Sequence, residues 1–139
     1  MKKLVTYSAL LLLGLSLTMS CSKKDEAQPS LVGSWKFSSI TFSQCTNPTN
    51  NGTETCTQTA NECGVITFTS TTWSYYQTPT GAPPIAESGT YSLSGSSVTL
   101  SGSTSITGTY TYSISGSTLT ISQTNSSTGC KETITMTKV

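Results

Sequence analysis

The five cysteines are the residues of this chain best suited to chemistry, and they fall into two groups. Cys21 directly follows an apolar N-terminal segment, whereas Cys45, Cys56, Cys63 and Cys130 are spread over the rest of the chain. A thiol can be acylated, can bind a metal or can form a disulfide, and the compartment helps to decide between these. No two cysteines have Cys-x-x-Cys spacing and the chain has no histidine, so a metal site is the least favoured interpretation.

Acid–base chemistry has few candidates. After residue 30 the only carboxylate side chains are those of Glu54, Glu62, Glu87 and Glu132. General acid–base catalysis usually needs a histidine or a pair of carboxylates in one cleft, and the sequence shows no pattern of that kind. We therefore expect a binding or structural protein, not an enzyme, with no cofactor and no metal.

Residues 1–20 have the layout of a secretory signal peptide. Lys2 and Lys3 give a positive start, residues 4–17 form an apolar run, and Thr18, Met19 and Ser20 then lead to Cys21. The run is short of the roughly 20 residues that span a bilayer. Without Lys2 and Lys3 the mature chain has five lysines against six acidic residues, so no basic face is expected and nucleic acid is not a predicted partner.

A small residue directly before Cys21 resembles the lipobox of bacterial lipoproteins. That resemblance implies a lipid on Cys21 that anchors the protein to a membrane, since a diacylated and N-acylated cysteine gives stable anchoring. The charged run 22–26 resembles the surface-export signal of lipoproteins from the Bacteroidetes group, and residues 21–30 then form a lipidated tether. We expect an outer-membrane or cell-surface location. The alternative is an ordinary signal peptide followed by an incidental cysteine.

Residues 31–139 are predicted to be one all-β domain. Serine and threonine make up roughly two-fifths of the mature chain, and apolar residues alternate with them at a period of two. No segment has the pattern of a helix of useful length. In the first strand the apolar parity shifts midway, which predicts a bulge near Ser38 and Ser39. The eight predicted strands are 31–43, 65–69, 72–77, 88–93, 97–101, 106–114, 118–122 and 132–138.

The connections between these strands are alternately long and tight, which places all the long ones at the same end of the fold. Eight antiparallel strands with one apolar face each should close on themselves, because closure removes exposed edges. The sequence therefore predicts an eight-stranded antiparallel up-and-down barrel, with a small β-sandwich as the alternative. The long connections are 44–64, 78–87, 102–105 and 123–131.

In a closed barrel the last strand pairs with the first, and this pairing predicts two disulfides. It brings Cys45 beside Cys130 and leaves Cys56 with Cys63. The alternative pairing joins Cys45 to Cys56 and Cys63 to Cys130. The same register places Trp35 level with the last residues of the chain, where the ammonium of Lys138 can lie over the indole.

The sequence Gly33-Ser34-Trp35 at the start of the first strand resembles the Gly-x-Trp signature of the lipocalin superfamily. In that family the tryptophan plugs the closed end of the barrel, and an arginine from a late strand packs over it. This chain has no arginine. As a whole, residues 31–139 resemble the small lipocalin-like lipoproteins of Bacteroidetes, which implies a barrel that can bind a small apolar or aromatic ligand in its mouth.

Eight-stranded barrels either are filled by side chains or hold one small ligand. If side chains fill this barrel, we expect instead a surface protein that binds other proteins through its disulfide-bonded loops, as an inhibitor or adhesin does. The aromatic residues that can line a ligand site, or equally fill the core, are Phe68, Trp73, Tyr75, Tyr91, Tyr110 and Tyr112.

Overall fold

The computed structural model describes residues 30–102 and 106–139. The predicted signal peptide 1–20, Cys21 and the tether up to residue 29 lie outside the described residues, as does the proposed lipid attachment. Within the described ranges, no helix combines the length and apolar character that crossing a membrane requires.

Nearly all regular structure in the described residues is β-strand. A one-turn helix, α1, covers Ala60–Cys63, and a short 3-10 turn covers Pro48–Asn50. The nine strands are β1 (Gly33–Ser43), β2 (Gly52–Thr55), β3 (Val65–Phe68), β4 (Thr72–Gln77), β5 (Ile85–Ser94), β6 (Ser97–Gly102), β7 (Gly108–Ser115), β8 (Thr118–Thr124) and β9 (Lys131–Lys138).

Each strand from β3 to β8 pairs antiparallel with the next strand along the chain, and β1 pairs with both β3 and β9. The sheet therefore closes on itself as an eight-stranded antiparallel barrel, with β2 as an additional strand. Tight turns close one end, where Gly95 and Gly116 have φ values of +56° and +57° that favour glycine. The predicted barrel is confirmed.

The bulge predicted in β1 is also confirmed. Phe37 pairs with Met136 and Ser39 pairs with Thr135, so Ser38 is the extra residue. Because side chains alternate between the two faces of a strand, this extra residue returns Ile40 to the face that Phe37 occupies. A single long strand can thereby contribute apolar side chains to the interior along its whole length.

The additional strand β2 was not predicted. It lies end to end with β3 along the same side of β1, since Thr55 is opposite Ser39 while Val65 is opposite Lys36. Between these pairs, the Cys56 amide donates to the Ser38 carbonyl and the Phe37 amide donates to the Gly64 carbonyl. Residues 57–62 thus form an insert whose two ends return to neighbouring positions of one ladder.

Several strand boundaries differ from the prediction by one to three residues. β5 begins at Ile85, three residues before the prediction, because Gln77, Tyr76 and Tyr75 extend the pairing with Ile85, Ala86 and Glu87. In contrast, β7 begins at Gly108 and not at residue 106.

The outer face of the barrel explains the abundance of serine and threonine. Hydroxyl side chains continue from strand to strand in register, and neighbours bond to each other, as Thr99 does with Thr109 at 3.0 Å and Thr41 with Thr53 at 3.0 Å. One such row crosses six strands through Ser97, Thr111, Ser122, Thr133, Thr41 and Thr53. The composition is therefore that of a folded sheet surface and not of a disordered chain.

Candidate functional site

The interior contains an apolar cavity of about 140 Å³. Its walls are aromatic and aliphatic, and the few polar atoms they carry are mostly engaged in hydrogen bonds with the protein. The lining residues are Trp35, Phe37, Gly64, Ile66, Tyr75, Leu100, Ile106, Tyr110, Ile121, Ile134 and Met136.

Trp35 lines the cavity and is also fully buried in the core. Its side chain is 0% exposed, and the indole Nε1 donates to the Leu31 carbonyl at 2.8 Å. This bond satisfies the only polar atom of the side chain, so the indole can present an apolar ring to the cavity without a desolvation cost. Residue 31 precedes β1 and folds back beneath the tryptophan.

Tyr75 is held in the wall by a short chain of hydrogen bonds. Its hydroxyl donates to Gln77 Oε1 at 2.8 Å, and Gln77 Nε2 donates to the Glu62 carbonyl of α1 at 2.8 Å. Thr59 and Glu62 form a capping box that fixes this one-turn helix. The insert between β2 and β3 therefore positions a wall of the cavity.

Gly64 is where that wall needs a residue without a side chain. Its φ of +91° lies in the region that favours glycine, and a Cβ there would overlap the Tyr75 ring. The close approach of backbone and ring makes Gly64 itself a lining residue.

Tyr110 forms part of the wall contributed by β7. Its side chain is buried, and its hydroxyl donates to the Ile106 carbonyl at 3.1 Å, which fastens Ile106 against the cavity. Burial raises the pKa of Tyr110 above its ordinary value, and the negative charge of Glu132 raises it further. Burial likewise raises the pKa of Tyr75, with a smaller contribution from Glu87.

Polar side chains lie above the apolar walls, toward the long connections. Glu132 is the centre of this group, because Gln123 Nε2 donates to its Oε2 at 3.1 Å and Asn125 Nδ2 donates to its Oε1 at 3.0 Å. Glu87 lies opposite Tyr75 in the β4–β5 register. We refer to Glu87, Gln123, Asn125 and Glu132 as the rim.

The six aromatic candidates are divided by the structure. Tyr75 and Tyr110 line the cavity. Phe68 and Tyr91 pack edge to face, with ring centroids 5.2 Å apart. Trp73 is buried, and its Nε1 donates to carbonyls of Thr90 and Ser101. Tyr112 packs partly buried against the core. These last four lie outside the cavity lining.

The lining also contains residues that were not candidates. Most of them are branched aliphatic residues or methionine. Their positions along the strands could have identified them as inward-facing, since Ile106 is an even number of residues from Tyr110 and Ile134 is two residues from Met136.

Two disulfides lie at the end with the long connections. Cys45 is bonded to Cys130 with an S–S distance of 2.07 Å, and Cys56 to Cys63 with an S–S distance of 2.03 Å. The first joins the end of β1 to the start of β9, as expected where those strands close the barrel. The second joins the two ends of the insert. In the described part of the chain, no group of three or more His, Cys, Asp or Glu side chains is placed to hold a metal ion.

Comparison with known proteins supports the same architecture. A family model described as a lipocalin-like domain matches residues 31–121. Neither curated proteins nor solved structures give a significant match. The matched segment is more than half of the chain and contains Gly33, Trp35 and most of the cavity lining. The chain therefore belongs to the lipocalin-like domain family.

Proposed function

We propose that this protein is an exported, lipid-anchored binding protein that holds one small apolar or aromatic ligand inside its barrel. The observation that carries the proposal is the cavity, which has almost entirely apolar walls and lies within a closed lipocalin-like barrel. Transfer of an apolar group from water into such a space is favourable. The polar atoms of Trp35, Tyr75 and Tyr110 already form hydrogen bonds with the protein, so the walls offer a ligand mainly apolar contact area.

The volume limits the ligand. A cavity of roughly 150 Å³ lined by aliphatic and aromatic side chains accepts benzene or xenon, whereas sites for drug-sized molecules begin at about 300 Å³. At about 140 Å³, the cavity fits a single ring or a short branched chain. A long acyl chain or a multi-ring compound does not fit it as it stands.

Toluene is a suitable probe, because the two tryptophans of the chain are differently placed: Trp35 lines the cavity and Trp73 does not. In a Trp73→Phe variant, toluene should change the emission of Trp35 saturably. In a Trp35→Phe variant, the emission of Trp73 should respond little. Calorimetric titration of the unsubstituted protein gives the stoichiometry, which we expect to be one.

A filled cavity provides the matched control. Ile134→Phe adds volume to a lining position and should abolish toluene binding, whereas Ile85→Phe makes the same change at an exposed position of β5 and should not. If neither toluene nor xenon binds saturably to the unsubstituted protein, the interior serves only as a core. The stapled loops would then be the better candidates for function.

Lipid anchoring is the second part of the proposal and is supported by the sequence before residue 31. Cys21→Ala should remove labelling by a palmitate analogue and release the protein from membranes, while Ser22→Ala should do neither. Membrane labelling of the Cys21→Ala protein would contradict the anchor.

The barrel also suggests how an anchored molecule is oriented. β1 starts at the end that the tight turns close, so a tether attached there leaves the end with the long connections pointing away from the membrane. On intact cells, a membrane-impermeant reagent should then reach a tag at Asn51 faster than one at Ser115. Reversed rates would contradict this orientation, and labelling only after cell lysis would place the protein on an inner face.

A further inference from the structure

We infer that the cavity selects an apolar ring that carries a cationic amine, with the Glu132 carboxylate at the rim as the group that binds the amine. This inference rests on the proposed function, since it names the chemical class of the ligand. It follows from the position of one carboxylate relative to the cavity and from the positions of the lysines.

Glu132 projects to the same side of β9 as the cavity lining. Ile134 and Met136 both line the cavity, and residues two apart on a strand share a face. Glu132 is thus one step of roughly 7 Å further toward the long connections. A ring seated against Ile134 can direct a one-carbon substituent toward this carboxylate.

The carboxylate is held in place by the barrel. Gln123 lies opposite Glu132 in the β8–β9 register and donates to one oxygen, while Asn125 donates to the other at 3.0 Å. Two ionised oxygens offer about four acceptor positions, so two amide donors leave capacity for an ammonium group. A carboxylate fixed in this way has lost its rotamer freedom before any ligand arrives.

No lysine of the described residues lines the cavity. Lys131 directly precedes Glu132 and therefore projects to the opposite side of β9, where it lines a groove with Thr111, Ser122 and the rim residue Gln123. Lys36 pairs with Thr137 near the other end of β1. Lys138 covers Trp35 at the closed end. Glu87 adds a second carboxylate to the rim, so both charged side chains of the rim are negative.

The wall of the cavity is within the influence of this charge. Tyr110 lines the cavity, and the negative charge of Glu132 contributes to the raised pKa of its hydroxyl. The same charge favours a cation at the rim and disfavours an anion there. Ligand selection would thus be set by the rim, whereas affinity for the ring would be set by the walls.

Three ligands with the same ring test the inference by calorimetry on the mature protein: benzylamine, benzyl alcohol and benzoate at neutral pH. Benzylamine should bind about two- to fivefold more tightly than benzyl alcohol, the range of partly exposed ion pairs, and benzoate should bind most weakly. Added salt should reduce the advantage of benzylamine and leave benzyl alcohol unaffected.

Glu132→Gln keeps the shape of the side chain and should remove most of that advantage. Glu54→Gln makes the same change on exposed β2, two strands away from Ile134, and should remove much less of the advantage. Equal affinities for benzylamine and benzyl alcohol in the unsubstituted protein, or tighter binding of benzoate, would overturn the inference and leave the proposed function intact. Failure of toluene and all three ligands to bind would overturn both. The comparison within the unsubstituted protein is decisive even if Glu132→Gln does not fold.

Discussion

The Lys138 ammonium lies 5.3 Å from the centroid of the Trp35 ring, across the pair of strands that closes the barrel. A Cβ on Gly33 would come 3.2 Å from Lys138 Cε, so the glycine leaves room for the stem of the lysine. The two named residues of the Gly-x-Trp signature therefore act together here. Trp35 provides the ring under the Lys138 ammonium, and Gly33 leaves space for the lysine stem.

Removing this charge should destabilise the fold modestly. Lys138→Met keeps most of the stem and should lower the free energy of unfolding by about 0.5–1 kcal/mol, the value of an exposed cation–π contact. Lys138→Arg should preserve stability, and Lys36→Met removes a charge from the outer face as a control. Urea melts measure all three. An equal loss for Lys36→Met and Lys138→Met would mean that the indole contributes nothing to the effect.

The closure of the barrel and the Trp35–Lys138 contact were predictable because both follow from parity and register. The alternation of apolar and polar residues shows which side chains face the interior, and closure of the barrel then fixes which residues of β1 and β9 are neighbours. The strand β2 was not predictable in this way. Its sequence, Gly-Thr-Glu-Thr, has no apolar residue, and it forms because the upper half of β1 offers unpaired backbone groups.

The cavity lining was only partly predictable, because parity says which side chains point inward but not how far along the barrel axis each ring reaches. Trp73 illustrates this. Its indole lies against Gly89 and Gly102, where a Cβ would come 3.0 and 3.4 Å from ring atoms. Two glycines on neighbouring strands thus leave a space in the wall that the indole fills, which keeps it out of the cavity.

The two disulfides should differ in their effect on stability. Cys45–Cys130 spans 85 residues and Cys56–Cys63 spans 7. In the chain-entropy model these loops correspond to about 4–5 and about 2–2.5 kcal/mol, respectively. The double variant Cys45→Ser with Cys130→Ser should therefore lose more stability in urea melts than Cys56→Ser with Cys63→Ser. The opposite order would mean that the insert stabilises the barrel more than the strand closure does.

Gly64→Ala should affect both the backbone and the cavity. Gly64 and Gly81 both have positive φ, +91° and +78°, so alanine strains the backbone at either position. Only at Gly64 would the Cβ meet the Tyr75 ring, whereas Gly81 has nothing within 4 Å. We expect a loss of about 1 kcal/mol for Gly81→Ala and a larger one for Gly64→Ala. Toluene affinity should change only for Gly64→Ala, which calorimetry checks.

Stability should fall in alkaline solution because of the buried tyrosines. Burial raises the pKa of Tyr110 and Tyr75, so the folded state keeps phenolic protons that the unfolded chain has already released. Their contribution is fully present below the unfolded value of about 10 and is lost as the pH rises above it. Urea melts at several pH values should show a shallower decline for Tyr110→Phe than for the unsubstituted protein.

The insert 57–62 has a consequence for how this barrel can vary. Cys56 and Cys63 hold its ends with 5.6 Å between their Cα atoms, and hydrogen bonds on either side continue the ladder of β1. The number of residues between the two cysteines therefore does not affect the register in which β2 and β3 pair with β1. Inserts of other lengths can replace residues 57–62 while the neighbouring strands keep their pairing. Because α1 supports Tyr75 through Gln77, such a replacement would also change the shape of the cavity wall, although the insert itself lies outside the barrel.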